Sequence, residues 1–160
     1  MKPIIFEPIG VIRTSFKQVK GMPIQPSGAE AKEGRVIVDP AFEAGLEDID
    51  GFSHLILIYQ FHLSKGYSLS VQPFLDNQHR GIFSTRAPRR PNPVGISIVS
   101  FLRREKNELV VENIDVVDGT PLIDIKPYVP EFDAPEVTTT GWLEHRAEKS
   151  GAMRSDERFK

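Results

Sequence analysis

Short apolar runs, each stopped by glycine or proline, recur along the chain and constrain its fold more than any other feature. The clearest occupy residues 34–38, 55–61, 95–104 and 109–117. Runs of this length between turn residues are typical of β-strands, and little of the chain shows helical periodicity. The last two runs flank a polar turn near Lys106 and predict a hairpin. The pattern predicts a mainly β chain, folded as an antiparallel barrel or sandwich with short helical turns.

Segments outside the hairpin carry signals of their own. Residues 4–12 alternate around a proline and predict an opening strand at a sheet edge. Residues 55–61 are apolar on both faces and predict a central, fully buried strand. Residues 41–48 predict one or two helical turns capped by Asp39. Residues 122–125 predict a short strand, and the last ten residues a frayed end.

Composition excludes several classes of protein. At 160 residues the chain fits one domain, and its net charge of −2 is not that of a general nucleic-acid binder. The absence of cysteine excludes disulfides, thiol nucleophiles and cysteine-ligated zinc. The four histidines lack ligand spacing, so we expect no metal site. No signal peptide or run of ~20 apolar residues is present, which predicts a soluble, cytoplasmic protein.

One proline-rich stretch, residues 81–100, concentrates positive charge. Prolines 88, 91 and 93 fix the backbone and exclude helix, and short apolar runs at 82–83 and 94–99 predict flanking strands. From residue 77 to 104 there are six arginines and no carboxylate, which favours an anionic ligand over a merely solvated turn. The polar side chains within this stretch are Arg86, Arg89, Arg90 and Asn92.

A carboxylate on an apolar face is the second signal of a site. By the two-residue period of a strand, Asp115 shares a face with Leu109, Val111 and Val117. Such a group is costly unless it is paired, so it has either a structural partner or a ligand hydroxyl or ammonium group. The long loop over residues 14–34 also has two interpretations. Its Pro-Ile-Gln-Pro motif either contacts the edge of a ligand or belongs to a flexible connection.

Five phrases in this order then carry a resemblance: IGVIRTSFK, MPIQP, GFSHLILIYQFH, FSTRAPRRPNPVGIS and IDVVDGTPLIDIKPYVP. From Glu7 to Pro130 the chain resembles the TrmO (TsaA-like) family of tRNA methyltransferases. The resemblance implies an S-adenosylmethionine-dependent enzyme built on a β-barrel, with the barrel domain over residues 1–130 and a polar, partly ordered extension over 131–160. It also implies a homodimer that methylates N6 of N6-threonylcarbamoyladenosine beside the anticodon of tRNA(Thr).

The resemblance also implies roles for particular residues. Arg86 would act in catalysis as well as in cofactor binding, with Asp124 and Tyr128 as candidate proton acceptors. The cationic stretch supplies the candidate substrate contacts Arg89, Arg90 and Asn92, and Lys126 is a further candidate. The implied cofactor contacts are Pro23, Ile24, Gln25, His62, Leu63, Arg86, Ile96, Glu112, Asn113, Ile114 and Asp115.

The sequence is also consistent with two other functions, and it offers an apolar surface for the implied dimer. A non-catalytic RNA- or nucleotide-binding barrel would use the arginines for phosphates and the acidic strand structurally. A methyltransferase acting on another acceptor would keep the same cofactor. For the implied homodimer, Met22, Ile24 and Phe74 are apolar loop residues that a second subunit would cover.

Overall fold

The computed structural model of the chain describes residues 2–29, 31–156 and 158–159. The elements are β1 Gly10–Arg13, β2 Glu33–Val38, β3 His54–Gln60, β4 Ser70–Val71, β5 Arg80–Gly81, β6 Val94–Glu105, β7 Glu108–Glu112, β8 Thr120–Pro127 and α1 Pro130–Asp133. Six strands close an antiparallel barrel in the order β1-β2-β7-β6-β3-β8, and β4 pairs with β5 beside it. The predicted β-barrel class is therefore confirmed.

Short 3-10 turns connect the strands. The turn Pro40–Leu46 begins after Asp39, whose carboxylate accepts a hydrogen bond from the backbone N of Ala41 at 2.8 Å, as the sequence predicts. The turn Ile82–Ser84 corrects the strand predicted there. The Ile82 side chain is buried and anchors this turn. The backbone carbonyl of Ile82 accepts a hydrogen bond from the backbone N of Thr85.

The first strand is shorter than predicted, and it does not lie at a sheet edge. It begins at Gly10 rather than at residue 4, and Ile4 and Ile5 are exposed. A proline at position 8 lacks the N–H that a ladder needs, which limits pairing upstream. Because the barrel is closed, β1 lies between β2 and β8 and is not an edge strand.

The third strand is buried on one face only. Leu55, Leu57 and Tyr59 point into the barrel, while Ile56 and Ile58 are half-buried on its outer side. The prediction of a fully buried strand was wrong because apolar residues on the outer face imitate the pattern of a strand covered on both sides. Its central place between β6 and β8 is confirmed.

The hairpin β6–β7 is confirmed, but its second strand ends early. Pairing stops at Glu112, and Asn113 adopts a positive φ of 62°, a conformation that asparagine tolerates better than most residues. The chain leaves the sheet here, so Asp115 does not lie on a strand. This turn directs the following residues over one end of the barrel.

Two clusters of buried apolar side chains stabilise the molecule. Each fully buried aliphatic side chain contributes roughly 1.5–3 kcal/mol relative to exposure. The second cluster includes Phe159 at 7% exposure, so the predicted frayed end is wrong for the described residues of the C-terminus. The barrel cluster contains Ile12, Val36, Leu55, Leu57, Val99, Leu109, Val111, Ile114 and Leu122, and the second contains Val71, Ile82, Ala87 and Phe159.

Candidate functional site

A cavity of about 780 Å³ lies at the end of the barrel where β3 ends and β6 and β8 begin. Its size is within the range of small-molecule sites. Three loops form its sides: residues 19–25, residues 83–90 and residues 115–117. The implied cofactor contacts that line it are Pro23, Ile24, Gln25, His62, Leu63, Arg86, Ile96 and Asp115.

A buried hydrogen-bond chain leads to the carboxylate of Asp115. Ser97 Oγ donates to Asp115 Oδ1 at 2.6 Å, and Tyr59 Oη lies 2.9 Å from Ser97 Oγ. Because the Ser97 proton is already used, the Tyr59 hydroxyl is the donor to Ser97. Burial raises the pKa of Asp115 to about 6, although the Ser97 bond and the Arg86 charge oppose it. Burial, with the Asp115 charge, also raises the pKa of Tyr59.

Arg86 stands at the cavity from the arginine-rich loop. Its Nη1 donates to Gln25 Oε1 at 3.3 Å and so connects two of the loops. Among the described residues, it forms no ion pair with a carboxylate within 4.0 Å. A guanidinium in this position is available for a bidentate bond to a ligand carboxylate or phosphate.

His62 follows β3 and is oriented by β8. Its Nδ1 lies 3.2 Å from Thr120 Oγ1, and Thr120 Oγ1 donates to the carbonyl of Val117 at 2.8 Å. The hydroxyl proton is therefore engaged, and we assign the proton between them to His62 Nδ1. In the neutral ring this leaves Nε2 as the acceptor nitrogen.

Three of the implied cofactor contacts do not line the cavity. Ile114 is fully buried in the barrel core, and Glu112 ends β7. The amide of Asn113 accepts from Ala31 N at 3.2 Å and donates to Ser100 Oγ at 3.1 Å. These residues shape the turn that carries Asp115 to the cavity.

The candidate proton acceptors also lie away from the cavity. Asp124 forms an ion pair with Lys126 at 2.7 Å on β8. The ring of Tyr128 packs edge-on against His54, which begins β3 at the end opposite the cavity. The structure does not bring Asp124, Lys126 or Tyr128 to Arg86 or Asp115. The catalytic roles of Asp124 and Tyr128 and the substrate role of Lys126 stay predictions.

The remaining residues of the loop face different ways. Arg90 Nη1 donates to the carbonyls of Thr85 and Ala87 at 2.9 and 3.3 Å, so it stiffens the loop at the cavity wall. Arg89 lines a separate depression of about 560 Å³ with His79 and Arg158. Asn92 is exposed beyond both.

Several cavity residues were missed or assigned elsewhere from sequence. Ser97 and Tyr59 had no signal, because both lie within apolar strand patterns. Met22, Ile24 and Phe74, which were expected at a dimer interface, line the cavity, and Met22 is buried. Their place at an interface stays a prediction. The C-terminal residues of the cavity had one signal, the apolar pair Trp142-Leu143 in a polar tail.

Neither a metal site nor a membrane helix is found in the described part of the chain. Across residues 2–29, 31–156 and 158–159, no three His, Asp or Glu side chains are grouped to hold a metal ion. In the same ranges, no helix has the length and apolarity to cross a membrane. The cytoplasmic location stays a prediction.

The fold and the cavity together define a small closed barrel with a carboxylate and a guanidinium at one cavity. Residues 11–134 match the family of the tRNA-methyltransferase O N-terminal domain, and the chain belongs to that family. The resemblance drawn from the sequence is thus confirmed.

The chain is also similar to individual proteins and to a solved structure. A probable S-adenosyl-L-methionine-binding protein of Pyrococcus abyssi is 51% identical over 156 residues, 98% of this chain and 85% of that protein. The tRNA (adenine(37)-N6)-methyltransferase of Homo sapiens is 32% identical over 83% of this chain and 32% of its own length. The crystal structure of TrmO from Pseudomonas aeruginosa superposes with a TM-score of 0.75 at 37% identity, covering 88% of this chain and 62% of that one.

Proposed function

We propose that the chain binds S-adenosylmethionine in this cavity and methylates N6 of an adenine nucleoside in tRNA. The observation that carries the proposal is that Asp115 and Arg86 line one cavity in a chain of this family. The relatives' names, for S-adenosylmethionine binding and for tRNA adenine methylation, support the cofactor and the acceptor. The specific acceptor proposed is N6-threonylcarbamoyladenosine beside the anticodon of tRNA(Thr).

The donor set of the cavity fits the cofactor. Arg86 suits the methionine carboxylate, because a guanidinium binds a carboxylate through two parallel hydrogen bonds. Asp115 retains acceptor positions beyond its bond to Ser97 and suits ribose hydroxyls or the ammonium group. The apolar walls, which include Phe61 and Ile24, suit the adenine ring.

The reaction requires orientation and one proton acceptor from the protein. When bound, S-adenosylmethionine supplies the methyl group to N6 as its carbon–sulfur bond breaks and the electron pair stays on sulfur. Arg86 and Asp115 would each bind a different polar group of the ligand, and such positioning lowers barriers by about 7–11 kcal/mol in well-oriented systems. His62 and Asp115 both line the cavity, and we propose that one of them takes up the N6 proton.

Arg86 offers the direct test. We expect Arg86→Ala to weaken S-adenosylmethionine binding by roughly 10- to 100-fold, since a hydrogen bond to a charged group contributes about 1.5–3 kcal/mol. It should abolish methyl transfer while leaving the circular dichroism spectrum unchanged. Arg103→Ala is the matched control, because Arg103 pairs with Glu105 on the barrel surface. Unchanged turnover in folded Arg86→Ala would contradict the assignment.

The two alternative functions are separated by two measurements. Calorimetry with S-adenosylmethionine distinguishes an enzyme from a non-catalytic RNA- or nucleotide-binding barrel, which would show no binding. Mass spectrometry of nucleosides from tRNA treated with protein and cofactor identifies the acceptor. A methyl group on any nucleoside other than N6-threonylcarbamoyladenosine would keep the chemistry and overturn the specific substrate.

We also propose that the chain forms a homodimer through the outer face of β3 and β6. Ile56 and Ile58 of β3 lie opposite Ile98 and Ile96 of β6 in the ladder, which places four isoleucines side by side. Ile96 and Ile98 are 53% and 41% exposed, and contiguous exposed apolar residues mark interaction surfaces. Val94 and Ile96 also line the cavity, so a second copy seated here would reach its mouth.

A further inference from the structure

The C-terminal segment, residues 141–156 and 158–159, packs across the cavity although it lies beyond the part of the chain that matches the family. Its residues come from two short 3-10 turns, Gly141–Leu143 and Ala147–Gly151, and the chain that follows. The segment residues that line the cavity are Trp142, Leu143, Ala147, Ser150, Ser155 and Phe159.

The end of the segment is bonded to the first cavity loop, residues 19–25. Gly21 N donates to the carbonyl of Ser155, and Ser155 N donates to the carbonyl of Met22, both at 2.8 Å. Pro23 and Arg154 form an isolated antiparallel bridge beside them. This loop carries Ile24 and Gln25, so the segment holds the backbone of proposed cofactor contacts.

The start of the segment forms an ion pair with a buried carboxylate, that of Asp76. Arg146 Nη1 contacts Asp76 Oδ2 at 2.6 Å, and the Asp76 side chain is only 2% exposed. Arg80 contacts the same oxygen, and its guanidinium lies 5.7 Å from the Trp142 ring. Burial disfavours the charge, but hydrogen bonds from Arg80 and from backbone N–H groups, together with the Arg146 charge, lower the pKa of Asp76 to about 2. The carboxylate is therefore ionised at any physiological pH.

Two further contacts attach the segment to Ser84, in the loop that carries Arg86, and to Phe74. Trp142 Nε1 donates to the carbonyl of Ser84 at 2.7 Å. The Phe159 ring packs edge-to-face on Phe74 at 5.1 Å, in the cluster that contains Ala87. A direct bond between the loops is the Arg86–Gln25 contact at 3.3 Å, which is long for a hydrogen bond. The C-terminal segment thus connects loops that the pairing of the barrel strands does not hold together.

From these contacts we infer that the C-terminal segment is a wall of the cofactor site, and that the Asp76–Arg146 ion pair positions it for binding. The inference rests on the proposed function, since the ligand is S-adenosylmethionine. Loops held in their bound arrangement bind more tightly, because less conformational entropy is lost on association. Arg146 is a positioning residue, and Trp142 is the aromatic surface of this wall.

The test compares two charge-neutralising variants of the full chain. Arg146→Gln breaks the ion pair, whereas Lys149→Gln removes one positive charge from an exposed position of the same segment. We expect Arg146→Gln to raise the calorimetric Kd for S-adenosylmethionine roughly 10-fold, within the usual range for coupling between sites, and Lys149→Gln to match the wild type. The far-ultraviolet spectrum should keep its β signature in both.

Trp142 provides a second, independent readout because it is the only tryptophan of the chain. Saturation with S-adenosylmethionine should shift or quench its emission in the wild type. Trp142→Phe, which keeps a ring but loses the bond to Ser84, should weaken binding even if Arg146→Gln does not fold.

The outcomes separate the inference from the function beneath it. Absence of binding to the wild type would overturn the proposed function itself. Normal binding to the wild type, with equal affinity in folded Arg146→Gln and Trp142→Phe, would overturn only the role of the segment. Constant Trp142 emission at saturating cofactor would also overturn it, whereas weakened binding in either variant with Lys149→Gln unchanged supports it.

Discussion

Asp115 is the residue whose ionisation the fold changes most clearly at the site. Its pKa of about 6 lies above the ordinary value of 3.8, because burial disfavours the carboxylate. Between these two pH values the folded state binds more protons than the unfolded state. The free energy of unfolding therefore falls as pH rises from about 4 to 6, and the penalty persists at neutral pH. A ligand hydroxyl or ammonium group at Asp115 would relieve this penalty.

We expect Asp115→Asn to stabilise the ligand-free protein at pH 7.5 while it weakens cofactor binding. The gain in the free energy of unfolding has an upper limit of ~3 kcal/mol, since each tenfold change in an ionisation constant corresponds to about 1.4 kcal/mol. It should disappear below about pH 4, where the wild-type carboxyl group is protonated in both states. Thermal denaturation from pH 3.5 to 8 and calorimetry with S-adenosylmethionine measure the two effects.

Asp124→Asn is the matched control, because Asp124 lies on the outer face of the barrel beside Lys126. It should change neither the pH profile nor the affinity. If Asp115→Asn lowered stability at neutral pH and kept full affinity, the carboxylate would be a structural group rather than a ligand contact.

At the scale of elements, the start of β6 sets the position of the aromatic residues at the cavity. Gly95 pairs with Tyr59 across the ladder. A Cβ at Gly95 would lie 2.7 Å from Tyr59 Cζ and 2.8 Å from Phe61 Cζ, closer than real Cβ contacts come. The two rings are themselves in an edge-to-face arrangement at 5.6 Å. The absence of a side chain at position 95 therefore lets both rings pack over the strand.

We expect Gly95→Ala to destabilise the protein by about 1–3 kcal/mol, the usual cost of overpacking, and to weaken cofactor binding by displacing Tyr59. Denaturant unfolding and calorimetry provide the measurements. Gly45→Ala is the control, since nothing lies within 4 Å of the added Cβ, and it should leave both quantities near the wild-type values. Equal stability of the two variants would show that the rings can shift without cost.

At the scale of the whole molecule, the proposed dimer depends on apolar contacts at the outer face of β3 and β6. We expect Ile98→Lys to shift light-scattering mass from dimer to monomer, because it places a charge among the four isoleucines. Val137→Lys, at a position that is 65% exposed after α1, should leave the mass unchanged. A monomeric wild type at working concentration would contradict the dimer, and a dimeric Ile98→Lys would place the interface elsewhere.

Local patterns predicted much of the barrel but failed where burial decided the outcome. The β6–β7 hairpin and the capped turn after Asp39 follow from turn chemistry and periodicity, which act between neighbouring residues. The run at Ile82-Phe83 looked like a strand because two apolar residues do not specify a period. The tail looked frayed because its polar composition hides Phe159, whose partners lie more than 70 residues away.

The sequence by itself determined the class of fold, the family and the cationic loop, because strand periodicity, prolines and motif spacing are properties of short segments. Only the tertiary structure decided which side chains share a cavity. It brought Arg86 and Asp115 together and left Asp124 and Tyr128 outside. The physical reason is that a closed barrel places segments distant in sequence at the same rim, and a turn at one residue, Asn113, sets where the chain beyond β7 goes.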